Sequence, residues 1–160
     1  MEHKACSMRK ASLNIILSDL CTSLMVLLFT YAGASKLLQQ DVFRIQLINV
    51  PVIKKYRDIF ALTLPIFELL LAVLMIVKHT RVAGLVVSLV TLCIFIAYLS
   101  ISLLTNSDLP CHCGGVINSL SWKQHIFFNL FFIVVATFGL YTQRSVKLSA
   151  KSSGRKNSYQ

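Results

Sequence analysis

The chain has 160 residues, of which 56% are hydrophobic and 14% are charged, and its mean hydropathy is +0.70. Soluble domains carry about 25% charged residues, so this composition excludes an ordinary soluble domain and favours an integral protein of the lipid bilayer. The net charge of +10 does not indicate a nucleic-acid partner, and we predict none, because basic residues beside apolar segments usually mark membrane topology and contact anionic lipids.

Four long apolar segments follow one another along the chain. Each approaches or exceeds the length of about 20 apolar residues that a helix needs to cross a bilayer. The sequence therefore predicts an all-α bundle of four transmembrane helices. The segments cover Leu13–Leu38, Ile59–Val77, Val82–Leu104 and His125–Tyr141.

The basic residues predict the orientation of this bundle. Most of the 16 lysines and arginines lie before the first span, between the second and third spans, or after the fourth span. Four crossings place these regions on one side, and the positive-inside rule makes that side the cytoplasm, with both termini in it. The chain then divides into a basic cytoplasmic N-terminus (1–12), a membrane domain (13–143) and a disordered basic cytoplasmic tail (144–160).

A cleaved signal peptide is the alternative for the N-terminal segment. Asn14 and Asp19 interrupt its apolar run, and the run is longer than the apolar region of most signal peptides. We therefore expect the segment to remain as the first transmembrane helix.

The first outer loop, residues 39–58, is long for a tight bundle and contains neither glycine nor cysteine. It mixes apolar and basic residues as an interfacial helix does, and Pro51 interrupts it. We expect this loop to lie along the outer membrane surface.

Glu68 lies near the middle of the second span, in the stretch LPIFELLLAV. A carboxylate inside the bilayer is costly, so it must face the bundle interior, be paired or be protonated. Its candidate partners are Lys36, Asn129 and Tyr98. The sequence leaves two roles open for Glu68, a proton carrier or cofactor contact and a structural hydrogen bond.

Three of the five cysteines lie apart from one another. Cys6 precedes the first span, while Cys21 lies in the first span and Cys93 in the third. Single cysteines inside a protein usually behave as small hydrophobic residues, and we expect Cys21 and Cys93 to do so.

The other two cysteines, Cys111 and Cys113, lie in the stretch DLPCHCGG before the fourth span. The predicted topology places them outside the cytoplasm, where disulfides persist. A disulfide across one intervening residue needs a bent backbone, and Gly114 and Gly115 permit one. Such a bridge closes almost no loop and is easily reduced, so thiol–disulfide exchange is favoured over a structural bridge.

His112 and His125 allow a second interpretation of this loop. A nearby imidazolium favours the reactive thiolate, but two cysteines and two histidines can also bind a soft metal. Structural zinc sites usually have two to four residues between paired cysteines. We therefore predict no metal and keep a site made of Cys111, Cys113, His112 and His125 as the alternative.

The fourth span begins with three polar or amphipathic residues on one helical face. Trp122, His125 and Asn129 follow one another at spacings of three and four, which places them on the same side of a helix. An amide inside the bilayer requires a hydrogen-bonding partner. We expect this face to form the floor of a site beneath the cysteine loop.

The stretches FTYAGASKLLQQDVFRIQL, LPIFELLLAVLMI and PCHCGG together resemble the MauE branch of the DoxX-like superfamily of small four-helix membrane proteins. The resemblance implies a redox-associated protein of the bacterial inner membrane that supports maturation of exported proteins with a thioredoxin-like or cysteine-rich periplasmic partner. Cys111 and Cys113 match the C-x-C of this family, although Gly114 stands where phenylalanine often follows. The residues that match its helical signature are Phe29, Gly33, Lys36, Pro65 and Glu68.

A wider similarity is to membrane disulfide-forming enzymes of the DsbB and vitamin K epoxide reductase type, which use two cysteine pairs and a quinone. The first outer loop here has no cysteine, so Cys111 and Cys113 would react with a membrane quinone or with a cysteine pair on another protein. The leading hypothesis is electron exchange between this pair and a partner. The alternative is a non-enzymatic accessory or scaffold subunit whose C-x-C loop is structural or binds metal.

Overall fold

The computed structural model describes residues 2–48, 54–104 and 122–157, and all the regular structure in these ranges is helical. The elements are, in chain order, α1 (Glu2–Leu38), α2 (Gln40–Ile48), a short 3-10 turn (Lys54–Tyr56), α3 (Arg57–Ile76), α4 (Arg81–Leu104) and α5 (Trp122–Asn157).

Four of these helices contain segments that are long and apolar enough to cross a membrane. This confirms the prediction of a four-helix, all-α membrane protein. The candidate spans are Ser12–Leu38 in α1, Arg57–Ile76 in α3, Arg81–Tyr98 in α4 and Gln124–Ser145 in α5.

The four spanning helices form a ring in which each helix packs against two neighbours. Helix α1 lies between α3 and α5, and α4 lies opposite α1 and contacts the same two helices. Because successive spans run in opposite directions, one end of the bundle carries both termini and the α3–α4 turn. We call this the terminal end. At the other end, which we call the α2 end, α1 leads into α2, α3 begins, α4 ends and α5 begins.

The centre of the bundle is apolar. Its buried core is contributed by all four spanning helices, and it fills the middle of the ring between the two ends. The members are Met25, Phe29, Leu71, Ala72, Met75, Leu85, Leu92, Phe132 and Ala136.

Helices α1 and α3 approach each other closely at Gly33. A Cβ atom at this position would lie 2.9 Å from the backbone oxygen of Pro65 and 2.9 Å from the Cγ atom of Leu69. Small residues at helix contacts allow two backbones to come together inside a membrane. The absence of a side chain at Gly33 therefore sets the α1–α3 distance near the α2 end.

Helix α2 covers part of the loop for which the sequence predicts an interfacial segment. It follows α1 after the single residue Gln39 and packs Phe43 and Leu47 against Ala61 of α3. Its outward face carries exposed apolar side chains, including Val42 and Ile45. An outward apolar face suits a helix that lies at a membrane surface.

The C-terminal segment differs from the predicted disordered tail, because α5 continues to Asn157. A helix that is already anchored by packing can extend without a new nucleation step. Basic side chains near a helix C-terminus also interact favourably with the helix dipole. The polar composition of residues 144–160 predicted disorder because it contains few residues that could form a core, and the preceding helix supplies the missing support.

Cys93 also differs from its prediction as a buried residue. Cys21 is buried between helices, whereas Cys93 is exposed on the outer surface of α4. Both faces of a transmembrane helix can be apolar, because one face contacts protein and the other contacts lipid. An apolar neighbourhood in the sequence therefore did not distinguish the inward face from the outward face.

Candidate functional site

Lys36 of α1 and Glu68 of α3 form a buried ion pair inside the ring. The Lys36 Nζ atom donates hydrogen bonds to both carboxylate oxygens, at 2.6 Å to Oε1 and 2.8 Å to Oε2. Each residue is 9% exposed. Of the three partners that the sequence offered for Glu68, the structure selects Lys36.

An aromatic ring completes the surroundings of the Lys36 ammonium group. The Nζ atom lies 5.9 Å from the centre of the Phe43 ring on α2, within the range of a cation–π interaction. Charged groups are tolerated inside a membrane protein when they are paired and hydrogen-bonded. The Lys36–Glu68 pair therefore joins α1 to α3, and the Lys36 ammonium group also contacts α2 through Phe43.

His125 and Asn129 occupy adjacent turns of α5 and point into the bundle. The Asn129 side-chain amide donates a 2.8 Å hydrogen bond to the backbone oxygen of His125. The imidazole contacts the Phe95 ring of α4 edge to face, with a 5.6 Å centroid separation, and Phe128 is stacked at 6.5 Å. The His125 ring therefore packs against one aromatic ring of α4 and one of its own helix.

The ion pair and the histidine lie at the same depth in the bundle. Gly139 of α5 faces Cys21 of α1, where a Cβ atom on the glycine would lie 3.2 Å from the cysteine Cβ atom. Helices α1 and α5 are antiparallel, so moving forward from Cys21 and backward from Gly139 leads towards the same end of the bundle. The separation from Cys21 to Ser35 equals the separation from Gly139 to His125, and Ser35 and His125 therefore lie at the same depth. We define the polar layer as the buried residues Ser35, Lys36, Glu68, His125 and Asn129.

The apolar core separates the polar layer from the terminal end. Below that core, buried hydroxyl groups bond mainly to the backbone of their own helices, as Thr22 does to the oxygen of Ser18 at 2.8 Å and Thr142 to that of Gly139 at 3.0 Å. The polar layer therefore faces the α2 end. The chain between α4 and α5 begins and ends at that same end of the bundle.

The sequence of this chain matches one known protein family over most of its length. The family described as methylamine utilisation protein MauE matches residues 14–142. The chain belongs to the MauE family. A search of curated proteins and a search of solved structures return no match. Membership in the MauE family fits, in a general way, a redox-associated accessory role for a multi-pass membrane protein.

The remaining predicted site residues of this MauE-family chain fall in or beside residues 105–121. Trp122 is the first residue of α5, and its side chain is outside the described part of the structure. The predicted redox pair and its neighbours also lie outside the described residues. They are Cys111, Cys113, His112, Gly114 and Gly115.

The described residues contain no group of three or more His, Cys, Asp and Glu side chains that could hold a metal ion. His125 is the one member of the alternative metal site whose side chain is described. Its imidazole ring contacts the rings of Phe95 and Phe128.

Sequence reasoning missed three residues that build this site. Ser35 precedes Lys36 and is buried in the polar layer, Phe95 contacts the His125 ring, and Phe43 contacts the Lys36 ammonium group. Ser35 could have been found, because it is a polar residue inside a predicted span. Phe95 and Phe43 could not, because their roles depend on the vertical register between helices.

The arrangement offers few but distinct chemical groups. Lys36 and Glu68 satisfy each other's charge, so neither is an isolated ion. The imidazole of His125 can donate or accept a hydrogen bond or a proton. The polar layer therefore brings together one ion pair and one histidine that contacts aromatic rings.

Proposed function

We propose that this MauE-family protein carries out thiol–disulfide exchange. Its Cys111/Cys113 pair trades a disulfide with a thioredoxin-like or cysteine-rich partner on the outer side of the bacterial inner membrane. This exchange supports the maturation of exported proteins. The observation that carries the proposal is the polar layer, which lies at the end of the bundle where the cysteine-bearing connection leaves α4 and enters α5. The resemblance of the sequence to the MauE branch of the DoxX-like superfamily supports the same assignment.

The proposed exchange conserves electrons and protons. A thiolate on one protein attacks a disulfide sulfur on the other, which forms a mixed disulfide and releases the second sulfur as a thiolate. A second thiolate of the attacking protein then breaks the mixed disulfide. One disulfide and one dithiol have thereby traded places. His125, at the α2 end, would take up or return the proton of a thiol.

The pair needs an acceptor when it repeatedly oxidises a partner. A membrane quinone, when bound, would supply an acceptor for two electrons and two protons. The polar layer fits such a group at one position, because the His125 ring can donate or accept a hydrogen bond there. Lys36 and Glu68 hold each other, so they would shape the floor beneath that group.

The charge distribution supports the proposed orientation. Lys78 and Arg144 are exposed at the terminal end, together with the basic residues near both termini of the sequence. The positive-inside rule assigns such an end to the cytoplasm. The α2 end, with the cysteine loop, then faces the periplasm, where disulfides persist.

Trapping the mixed disulfide tests the proposal. Cys111→Ser and Cys113→Ser are expressed separately in the native host, membranes are acid-quenched, and covalent adducts are identified by mass spectrometry after non-reducing separation. We expect one of the two variants to accumulate a thiol-reversible adduct with an exported protein. Cys93→Ser is the matched control, because Cys93 is exposed on the lipid-facing surface of α4. If neither Cys111→Ser nor Cys113→Ser gives an adduct above the Cys93→Ser level, thiol exchange is wrong.

The second candidate function is a non-enzymatic accessory subunit with a structural C-x-C loop. Its support is the complete mutual pairing of Lys36 and Glu68, since a fully satisfied buried pair is what a rigid scaffold requires. In this case, a Cys111→Ser/Cys113→Ser double variant retains the capacity to mature exported proteins. Thiol exchange predicts that the double variant loses it.

A further inference from the structure

A charged groove lies between α2 and the start of α3, apart from the polar layer. It has a volume of about 310 Å³ and is lined by Asp41, Arg44 and Ile45 of α2 and by Arg57 and Asp58 of α3. Two arginines and two aspartates give the groove no net charge. It therefore presents positive and negative groups side by side, which suits a ligand that carries both signs.

The charged groups in this groove are only loosely paired with one another. The Arg44 Nε atom lies 3.8 Å from Asp58 Oδ1, and the Arg57 Nε atom lies 3.8 Å from Asp58 Oδ2. Both distances exceed the range of about 2.7–3.2 Å for a nitrogen–oxygen hydrogen bond. The two guanidinium groups, whose side chains are 46% and 44% exposed, thus keep donors available for an external acceptor.

The groove lies at the boundary of the membrane-spanning region. The first span ends at Leu38, shortly before Asp41, and the span in α3 begins at Arg57. Ile45, which lines the groove, is 62% exposed, and Ile59, which follows Asp58 in the chain, is 64% exposed. Charged groups next to outward apolar side chains at this depth match the place where a lipid headgroup meets its acyl chains.

We propose that this groove binds the headgroup of a membrane phospholipid that carries a phosphate and a primary ammonium group, as phosphatidylethanolamine does. Guanidinium groups bind phosphate oxygens through paired hydrogen bonds, which assigns the phosphate to Arg44 and Arg57. The ammonium group is assigned to the carboxylates of Asp41 and Asp58. The acyl chains then run along the outward side chains of Ile45 and Ile59.

The carboxylates distinguish between the common headgroups. A primary ammonium group has three hydrogen-bond donors for carboxylate oxygens, whereas a quaternary ammonium group has none and is bound mainly by aromatic rings. An anionic headgroup without an ammonium group offers no positive group to Asp41, and it competes with Asp58 for the two arginines that lie 3.8 Å from that carboxylate. The groove therefore favours ethanolamine over choline and over glycerol headgroups, independently of thiol chemistry in the cysteine loop.

Lipid binding to the purified full-length protein tests this inference. Delipidated protein in a neutral detergent is titrated with phosphatidylethanolamine, phosphatidylcholine or phosphatidylglycerol of identical acyl chains, and bound lipid is counted by native mass spectrometry. Soluble glycerophosphoethanolamine is a further ligand. We expect phosphatidylethanolamine to bind roughly tenfold more tightly than each alternative, a ratio in the range of one or two charge-assisted hydrogen bonds.

Two variants with equal charge change connect this preference to the groove. Arg44→Gln/Arg57→Gln removes two positive charges from the groove, and we expect it to weaken phosphatidylethanolamine binding roughly tenfold. Lys78→Gln/Arg144→Gln removes two exposed positive charges from the terminal end and leaves binding unchanged. Asp41→Asn keeps both guanidinium groups and reduces the difference between ethanolamine and choline lipids.

Several results would overturn the inference. It is wrong if the two double variants bind phosphatidylethanolamine equally, if the choline or glycerol lipid binds as tightly, or if soluble glycerophosphoethanolamine binds as tightly as the lipid. Helical circular dichroism and gel filtration establish that each variant is folded. If the Arg44→Gln/Arg57→Gln protein is unfolded, Arg44→Gln alone and Asp41→Asn supply the same comparison.

Discussion

The Lys36 ammonium group lies within hydrogen-bonding distance of both oxygens of Glu68, at 2.6 Å and 2.8 Å. The pair joins α1 to α3 at the depth of His125. Both residues are buried, so the loss of one partner leaves an uncompensated charge, whereas the loss of both leaves none. Stability measurements can separate these two situations.

We expect Glu68→Gln to lower the free energy of unfolding by about 3–5 kcal/mol, because it leaves the Lys36 charge buried without a counterion. A Lys36→Met/Glu68→Met double variant removes both charges and should stay within about 1–2 kcal/mol of the original protein. Reversible unfolding in mixed micelles, followed by circular dichroism, measures both values. A loss in the double variant as large as the loss in Glu68→Gln would contradict a direct pair interaction.

A second ion pair offers an exposed comparison near the terminal end. The Arg81 Nη1 atom lies 2.6 Å from Asp19 Oδ1, but the Asp19 side chain is 56% exposed. Exposed ion pairs contribute about 0–1 kcal/mol, so Asp19→Asn should have a much smaller effect than Glu68→Gln in the same unfolding assay. An equal effect would mean that Asp19 is shielded from solvent in the membrane.

The close contact of Gly33 with Pro65 predicts an unusual sensitivity to a single methyl group. In Gly33→Ala the new Cβ atom would meet the Pro65 oxygen at 2.9 Å, and α1 must move away from α3. We expect a loss of about 1–3 kcal/mol in unfolding free energy, typical of an overpacked contact. The same assay, repeated in the Lys36→Met/Glu68→Met background, should give a smaller loss, because no ion pair then depends on that approach.

Gly139→Ala is the matched control for this prediction. A Cβ atom at Gly139 would lie 3.2 Å from the Cβ atom of Cys21, a side-chain contact that small shifts can relieve. We therefore expect a smaller loss than for Gly33→Ala. Equal losses at the two glycines would show that the α1–α3 contact has no special role.

The proposed orientation predicts which cysteines a membrane-impermeant maleimide can reach. In variants that retain only Cys6 or only Cys113, we expect intact cells to label Cys113 and inside-out vesicles to label Cys6. The physical reason is the excess of basic residues at the terminal end, which the positive-inside rule retains in the cytoplasm. The reverse labelling pattern would place the C-x-C loop in the reducing compartment.

The four spans were predictable because an apolar stretch of sufficient length is a local property of the sequence. The inward direction of Glu68 was predictable for a similar reason, since an ionisable group in a span must avoid lipid. The sequence narrowed the candidate partners of Glu68 to three residues, and the structure identified Lys36 among them.

The contacts between helices were not predictable, because they depend on vertical register. Nothing in the spacing of α4 and α5 places Phe95 beside His125, and nothing in α1 alone shows that Gly33 meets Pro65. Cys93 demonstrates a second difficulty, since lipid-facing and core-facing positions share the same apolar composition. The helical extension of α5 to Asn157 depends on support from a preceding packed helix, which residue composition does not describe.

The band of apolar side chains around Met25, Leu71 and Phe132 has an energetic consequence for any chemistry at the α2 end. The side chains that form this band are apolar, so we expect protons released or consumed at the α2 end to return to the compartment from which they came. Turnover at that end would consequently move no net charge across the bilayer. The membrane potential would then neither drive nor oppose the reaction.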